Sequence, residues 1–428
     1  MNRSVNKALR WFMKKAKVWI GISTLLLSVS ALHAHVHAQN QSGNKYKGQA
    51  EAQPNTTNMV YLKLKRPTPA GTPSYLISPT DEGIAGAEIG IEDANITGKF
   101  LGYSLTLAHI NALDSAATDA ITHAPVVLID SPDAQYQEAV RSVVSINPSA
   151  LVVNVASGKD TFRRMHCELN VLHTYPSYQM KTDALGQWLR TKRLSSVLTL
   201  RGAHQSDEAY LDAFLRTAKK FKLNIVEKKT WQASFDLRRS AFSEIPLFTR
   251  TKKPYDAIFA ADTQSQYAYS LPFNTHLIVP IMGSAGLKPL GWHFTHEQWG
   301  ARQLQNRFKD KYSRTMNEVD FAAYAAIIAI STALQRCDSS DFKNNDSQMH
   351  ESVTGTRLFN ALVEGQLSIA AYKGRQLTFR KGTRQLRQPM ALAHEEALVI
   401  HAPLPGFLHQ RDELDTLGDA ATTCKDAL

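Results

Sequence analysis

Cysteine is scarce: three residues in 428, none in a C-x-x-C pair. That excludes a disulfide scaffold and argues against a structural zinc site. Catalytic signatures are missing too. There is no G-x-G-x-x-G: Gly83, Gly86 and Gly90 have another spacing and fall in a predicted helix, not at a strand–helix turn. No G-x-x-x-x-G-K-[ST] phosphate loop, H-E-x-x-H pair or D-x-D-x-D calcium loop occurs. Gly283-Ser284-Ala285-Gly286 lacks the first glycine of a nucleophile elbow. His293 and His296 stand three apart beside Trp292, without the ligand spacing of a metal site. No cofactor, metal or catalytic group is expected. The pattern points to a binder rather than an enzyme.

What is present is ordinary globular composition, 43% hydrophobic and 20% charged. A length of 428 residues exceeds what one hydrophobic core fills, so two lobes or domains are expected. The net charge of +11 suggests nucleic acid until the N-terminus is considered. Arg3, Lys7, Arg10, Lys14, Lys15 and Lys17 precede an apolar run from Val18 to Leu32, with no acid among them. A basic stretch, a short apolar segment and then small residues make a secretory signal. The run is shorter than the ~20 residues that span a bilayer, although an uncleaved anchor is the alternative. Cleavage is expected after Ala38 or Ala34, giving a signal over 1–38. Removing its six positive charges leaves a mature chain of about +5, and nucleic acid is not an expected partner. His33, His35 and His37 lie in the discarded region.

Residues 39–57 are polar and aperiodic and read as a flexible leader. Order begins with the strand Val60–Leu64. A helix is expected over Asp81–Asn95, strands at Ser104–Ile110 and Ala124–Asp130, a helix at Asp133–Ile146 and a strand at Ala150–Ser157. The same alternation restarts after Tyr175-Pro176-Ser177. Helices at Gln179–Thr191 and Ser206–Lys222 accompany strands at Ser196–Gly202, Leu223–Trp231, Ala257–Asp262 and His276–Gly283. A long apolar helix covers Asn317–Gln335, then a polar insertion (338–352), a helix near 355–364 and strands at Arg375–Arg380 and Met390–Ala402. Near-continuous apolar strands alternating with helices indicate parallel sheets covered on both faces. The fold class is α/β. Two Rossmann-like lobes on a hinge, with a cleft between them, are one solution; independent tandem domains are the other.

Four segments carry a resemblance: Glu82–Gly102 (EGIAGAEIGIEDANITGKFLG), Asn170–Arg193 (NVLHTYPSYQMKTDALGQWLRTKR), Gly283–Phe308 (GSAGLKPLGWHFTHEQWGARQLQNRF) and Gly406–Gly418 (GFLHQRDELDTLG). Together they resemble type I periplasmic substrate-binding proteins of ABC transporters, the branched-chain amino-acid-binding type. They are most similar to the branch found with pyrroloquinoline-quinone-dependent alcohol oxidation. The likeness spans about residues 58–424. It implies a bilobal fold with three crossings, near Pro176, Gly286 and Thr378. Lobe 1 would comprise 58–176 and 287–378, and lobe 2 177–286 and 379–428 with the tail. It further implies a monomer in the periplasm that captures a small molecule and delivers it to a permease and its ATPase. Leu200–Tyr210 (LRGAHQSDEAY) departs from the acidic-Tyr-Gly loop usual in amino-acid-binding members.

In open α/β sheets ligands bind beyond the carboxyl ends of the strands. The residues there are Asp130, Ser131, Ser157, Tyr175, Ser177, Arg201, His204, Asp262, Ser284 and Trp292. Arg201 either pairs with an anionic ligand group or makes a surface ion pair. Asp130 and Asp262 either contact ligand or cap following helices. Tyr175 and Trp292 either wall the pocket or pack the hinge. Of the cysteines, Cys167 and Cys424 are the favoured disulfide, because Cys424 ends an irregular tail with little else to hold it, and Cys337 ends an apolar helix. A sensor or accessory protein of the same fold is the alternative function. An exported hydrolase using Ser284 with His293 or His296 is a third.

Overall fold

Short runs in which every residue is buried form the centre of two parallel sheets. The computed structural model describes residues 55–68, 72, 74–165, 169–231, 243–265, 267–341 and 353–419. The expected export signal, Cys167 and Cys424 lie outside the described residues. In the first sheet β1 (Asn55–Lys63), β2 (Tyr103–Ile110), β3 (Val126–Asp130), β4 (Leu151–Asn154) and β5 (Val171–His173) run parallel in the order β2-β1-β3-β4-β5. All of β3 and β4 is buried, as strands covered on both faces require. The helices α1 (Ile84–Leu101), α2 (Ser115–Thr122) and α3 (Asp133–Ile146) separate these strands. In the second sheet β6 (Ser196–Arg201), β7 (Asn224–Thr230), β8 (Ala257–Ala261) and β9 (Ile281–Gly283) are parallel in the order β7-β6-β8-β9. It is flanked by α4 (Tyr178–Thr191) and α5 (Gln205–Lys220).

The chain then returns to the first lobe. After β10 (Lys288–Leu290) come α6 (Ala301–Tyr312), α7 (Glu318–Asp341), α8 (Gly355–Val363) and the short pair β11 (Ile369–Ala370) and β12 (Gln376–Leu377). β13 (Met390–His394) and β14 (Ala397–Ala402) form an antiparallel hairpin that pairs with β10. The apolar length of α7 is explained by its place in the first core, where Phe321, Ala325, Ile327 and Ile330 are buried. It lies against α1 through two glycines. A Cβ on Gly86 would stand 1.9 Å from the Asp320 carbonyl oxygen, and one on Gly90 2.9 Å from Ile327 Cβ. The glycines that fail as a dinucleotide motif therefore set a close helix–helix approach.

Leu172, Trp292, Phe379 and Leu386 pack in one core, and Tyr178, Leu287 and Met390 in another. Among the described residues, the chain passes between these two cores at 173–177, 288–291 and 387–389. Phe379 and Leu386, beyond Thr378, pack in the first of these cores. Other differences are local. Asn55–Met59, in or next to the stretch expected to be a flexible leader, pairs with Tyr103–Leu107 as part of β1. Of the expected strand His276–Gly283 only Ile281–Gly283 forms; Leu277 and Ile278 are exposed on the approach to it. Sequence periodicity missed α2, which starts at an Asp114 cap accepting from Ala117 N at 2.9 Å, and α6.

Candidate functional site

The carboxyl ends of β3, β4 and β5 carry the first-lobe candidates. Asp130 is fully buried and accepts from Tyr61 Oη at 3.1 Å and Arg66 at 2.5 Å. Arg66 reaches on to Glu82 at 3.2 Å. Burial, reinforced by Asp130, pushes the Tyr61 hydroxyl well above its ordinary range. Burial also raises Glu82, against the pull of Arg66. Ser131 Oγ, next in sequence, is buried and has no hydrogen-bond partner among the described residues. It precedes α3, whose N-cap is Pro132 and has no side-chain cap. Ser157 Oγ donates to Asp133 on the first turn of α3. The other oxygen of Asp133 accepts from Tyr178 Oη at 2.9 Å. Asp133 therefore joins a first-lobe serine to a second-lobe tyrosine. A Cβ on Gly158 would lie 2.6 Å from the Tyr178 ring, so only glycine lets that ring settle there.

The passage out of β5 supplies Tyr175 and Ser177. Tyr175 Oη donates to Glu318 at 2.8 Å, and burial with the Glu318 charge lifts its titration well above the usual tyrosine range. Lys181 lies over the Tyr175 ring at 4.4 Å. Ser177 caps α4, accepting from Met180 N at 3.2 Å.

In the second lobe the candidates form a knot at the ends of β6, β8 and β9. Asp262 accepts from Tyr267 N at 2.7 Å and Ala268 N at 2.8 Å, in the turn before a short helix whose own N-cap is Ser270. Its own N–H donates to Ser284 Oγ at 2.9 Å. Asp207 accepts from His204 N at 3.1 Å, Thr263 N at 2.6 Å and Thr263 Oγ1 at 2.7 Å. His204 caps α5 through Nδ1. Arg201 is bonded to Thr230 at 3.1 Å and lies 3.6 Å from Glu208. Trp292 is buried and stacks on Phe321 at 4.3 Å in the first core.

Among the described residues, neither histidine of the hydrolase reading is bonded to Ser284. His293 Nδ1 is 2.7 Å from Thr295 Oγ1, and His296 Nε2 is 3.0 Å from the Tyr372 carbonyl. Burial lowers the titration of both imidazoles.

Arg66, Asp133, Tyr178, Lys181, Asp207 and Glu318 belong with the candidates and were missed by sequence reasoning. One signal was available: a Ser177 cap puts Tyr178 and Lys181 on the first turn of α4, facing back toward the passage. Nothing in the sequence marked Arg66 or Glu318, which lie far from the strand ends they reach.

No family model matches the chain, and no curated protein matches it. Solved structures do. A leucine-, isoleucine-, valine-, threonine- and alanine-binding protein from Brucella ovis is 12% identical, with a TM-score of 0.61 over 82% of this chain and 92% of its own. A solute-binding protein from R. palustris in complex with benzoate is 16% identical, with a TM-score of 0.56 over 81% and 95%. The branched-chain amino-acid transporter protein LivJ from Streptococcus pneumoniae, with isoleucine, is 12% identical, with a TM-score of 0.56 over 81% and 98%. At such identities the likeness establishes the architecture: the chain has the type I periplasmic-binding-protein fold.

Proposed function

We propose that the protein is a periplasmic solute receptor of an ABC-type importer, holding a small polar ligand between its lobes and presenting it to a permease and its ATPase. The observation that carries this reading is Ser131: a buried hydroxyl without a partner among the described residues, at the end of a central strand and beside a fourteen-residue helix whose start has no side-chain cap. Buried hydroxyls are normally bonded, and an orphan at a strand end beside a helix N-terminus suits a ligand carboxylate or hydroxyl. The acids an ammonium group would need, Asp207 and Asp262, are already bonded to backbone N–H groups. Carboxylates and polyols therefore fit better than amino acids. The fold's solved neighbours hold isoleucine in one case and benzoate in another. Export by a cleaved signal, a monomeric state and a link to pyrroloquinoline-quinone-dependent alcohol oxidation complete the proposal; the last rests on the likeness of Gly283–Phe308 and Gly406–Gly418.

The test is thermal melting of the mature chain over a panel of alcohols, short acids, aromatic acids, amino acids and quinone cofactors. A ligand at 100 times its Kd stabilises by ~2.7 kcal/mol. Ser131→Ala should reduce that ligand's affinity by ~1 kcal/mol, or more if the lost bond is to a charged group. A panel without any shift, or a ligand indifferent to Ser131→Ala, overturns the reading of this site.

A further inference from the structure

The Gly291 peptide sits on the second passage between the lobes and is gripped on both sides. Its N–H donates to the Glu318 carboxylate, and its carbonyl accepts from the Lys373 ammonium. Lys373 also reaches the Pro389 carbonyl, on the third passage, at 3.4 Å. Glu318 in turn accepts from Tyr175, on the first. All three passages thus meet one chain of alternating charge. Within it Lys373 is anomalous. It is 4% exposed, its bonded partners are two neutral carbonyls, and the faces of Phe321 and Trp292 lie 4.6 and 5.7 Å from Nζ. No carboxylate pairs with it among the described residues, whereas Glu318 is paired with Lys181. A buried ammonium without a counter-ion is expensive to desolvate.

We propose that Lys373 is a positioning residue for lobe closure, a buried hinge charge that favours the open arrangement while protonated and allows the closed packing once neutral. Any rotation about the second and third passages moves both of its carbonyl partners, so the hinge cannot turn without altering its surroundings. Rotation that admits water relieves the charged form and offers little to the neutral one. The direction of titration agrees. Burial lowers Lys373 from 10.5 to about 7, with Glu318 opposing. An arrangement in which it is hydrated binds the proton more tightly, so the packed hinge gains on the hydrated one as pH rises from about 7 toward 10.5 and is indifferent to pH below that window. The other titratable groups facing it are Glu318 from α7, His296 from the segment after β10 and His401 from β14. Behind Glu318 stand Lys181 and Tyr175. Burial and the neighbouring cations take His401 down to about 4, and burial takes His296 below its ordinary 6.5, while Tyr175 is raised well above 10. The two histidines and Tyr175 therefore titrate outside the window.

The inference rests on the two-lobe receptor reading, and the experiment separates them. Small-angle scattering of the ligand-free mature chain from pH 6 to 10 should show the radius of gyration falling between pH 7 and 10. Lys373→Met should be compact throughout and lose that change. Lys373→Arg, charged at every pH used, should stay at the wild-type low-pH value. Where a ligand has been found, its Kd for wild type should tighten at least threefold from pH 7 to 9, and for the Met variant stay constant. If the Met variant titrates like wild type, or if wild type shows no change, the proposal is wrong even when ligand binding is intact. If the Met variant fails to fold, the Arg variant decides, and a wild-type titration there overturns the proposal. A panel without a ligand would remove the receptor reading and leave the scattering result standing.

Discussion

Lys181 Nζ lies 2.5 Å from Glu318 Oε2, an ion pair that ties α4 of the second lobe to the first turn of α7 in the first. Both side chains are about nine-tenths buried, so neither charge is well solvated if the other is removed. The pair is one of several bonds that hold the lobes together: Tyr178 reaches Asp133, and Asp160 accepts from Gln179 N at 3.0 Å and from Arg216 at 2.6 Å.

Lys181→Met should destabilise the protein by about 3 kcal/mol, because removing one partner of a buried pair leaves the other charge uncompensated. Equilibrium denaturation in urea measures this. Adding Glu318→Gln should recover part of the loss, since the amide needs no counter-ion. A double variant whose loss equals or exceeds the sum of the two single losses would show that the pair is not coupled in this way.

Gly86→Ala tests the seam between α1 and α7. With the new Cβ 1.9 Å from the Asp320 carbonyl oxygen, the helices must separate, and a loss of ~3 kcal/mol or more is expected. As a contrast, Gly102 ends α1 with φ 79° and nothing within 4 Å of a Cβ, so Gly102→Asn, which tolerates that conformation, should change stability by less than ~0.5 kcal/mol. Similar losses at both glycines would refute the close-approach account.

Asp415 is bonded to Arg380 and Arg387, each at 2.8 Å. Burial works to raise its pKa, but the bonds from Arg387 and Arg380 prevail and hold it below the ordinary 3.8. A carboxylate with a depressed folded-state value contributes stability above its unfolded value and loses it as pH falls through the folded one. Acid titration of wild type should therefore show a stability loss below pH 3.8 that Asp415→Asn lacks, the variant being less stable by ~3 kcal/mol at pH 7. An identical acid profile for the two proteins would exclude this assignment.

The strand–helix alternation was legible because each central strand is a short, wholly buried run, as in Val126–Asp130 and Ala257–Ala261, and α3 was found at its observed limits. Elements resting on a single cap or on tertiary contact were not: α2 has only Asp114 to announce it, and Asn55–Met59 is polar yet recruited by β2. The site was half visible. Strand ends gave Asp130, Ser131, Ser157, Asp262 and Ser284, because position follows from topology. Their partners did not follow: Arg66 comes from a loop after β1, and Glu318 from a helix 143 residues beyond Tyr175. The two N–H groups that Asp262 holds lie five and six residues on, in a turn that no spacing rule marks.

Gly291→Ala examines the hinge itself. An added Cβ would stand 2.8 Å from Pro176 Cγ on the first passage and 3.2 Å from Glu318 Oε1. Pro176 lies on the first passage and Glu318 on the first turn of α7, so the methyl group must push the second passage away from both. The expected cost in stability is modest, ~1–3 kcal/mol by urea denaturation. The expected change in shape is larger, since a shift of the passages is levered across both lobes: the radius of gyration at pH 9, where closure is favoured, should rise toward the wild-type value at pH 7. Lys373→Met combined with Gly291→Ala should not restore compactness, because the obstruction is steric and no longer depends on the ammonium. A Gly291→Ala protein as compact as wild type at pH 9 would place the pivot elsewhere.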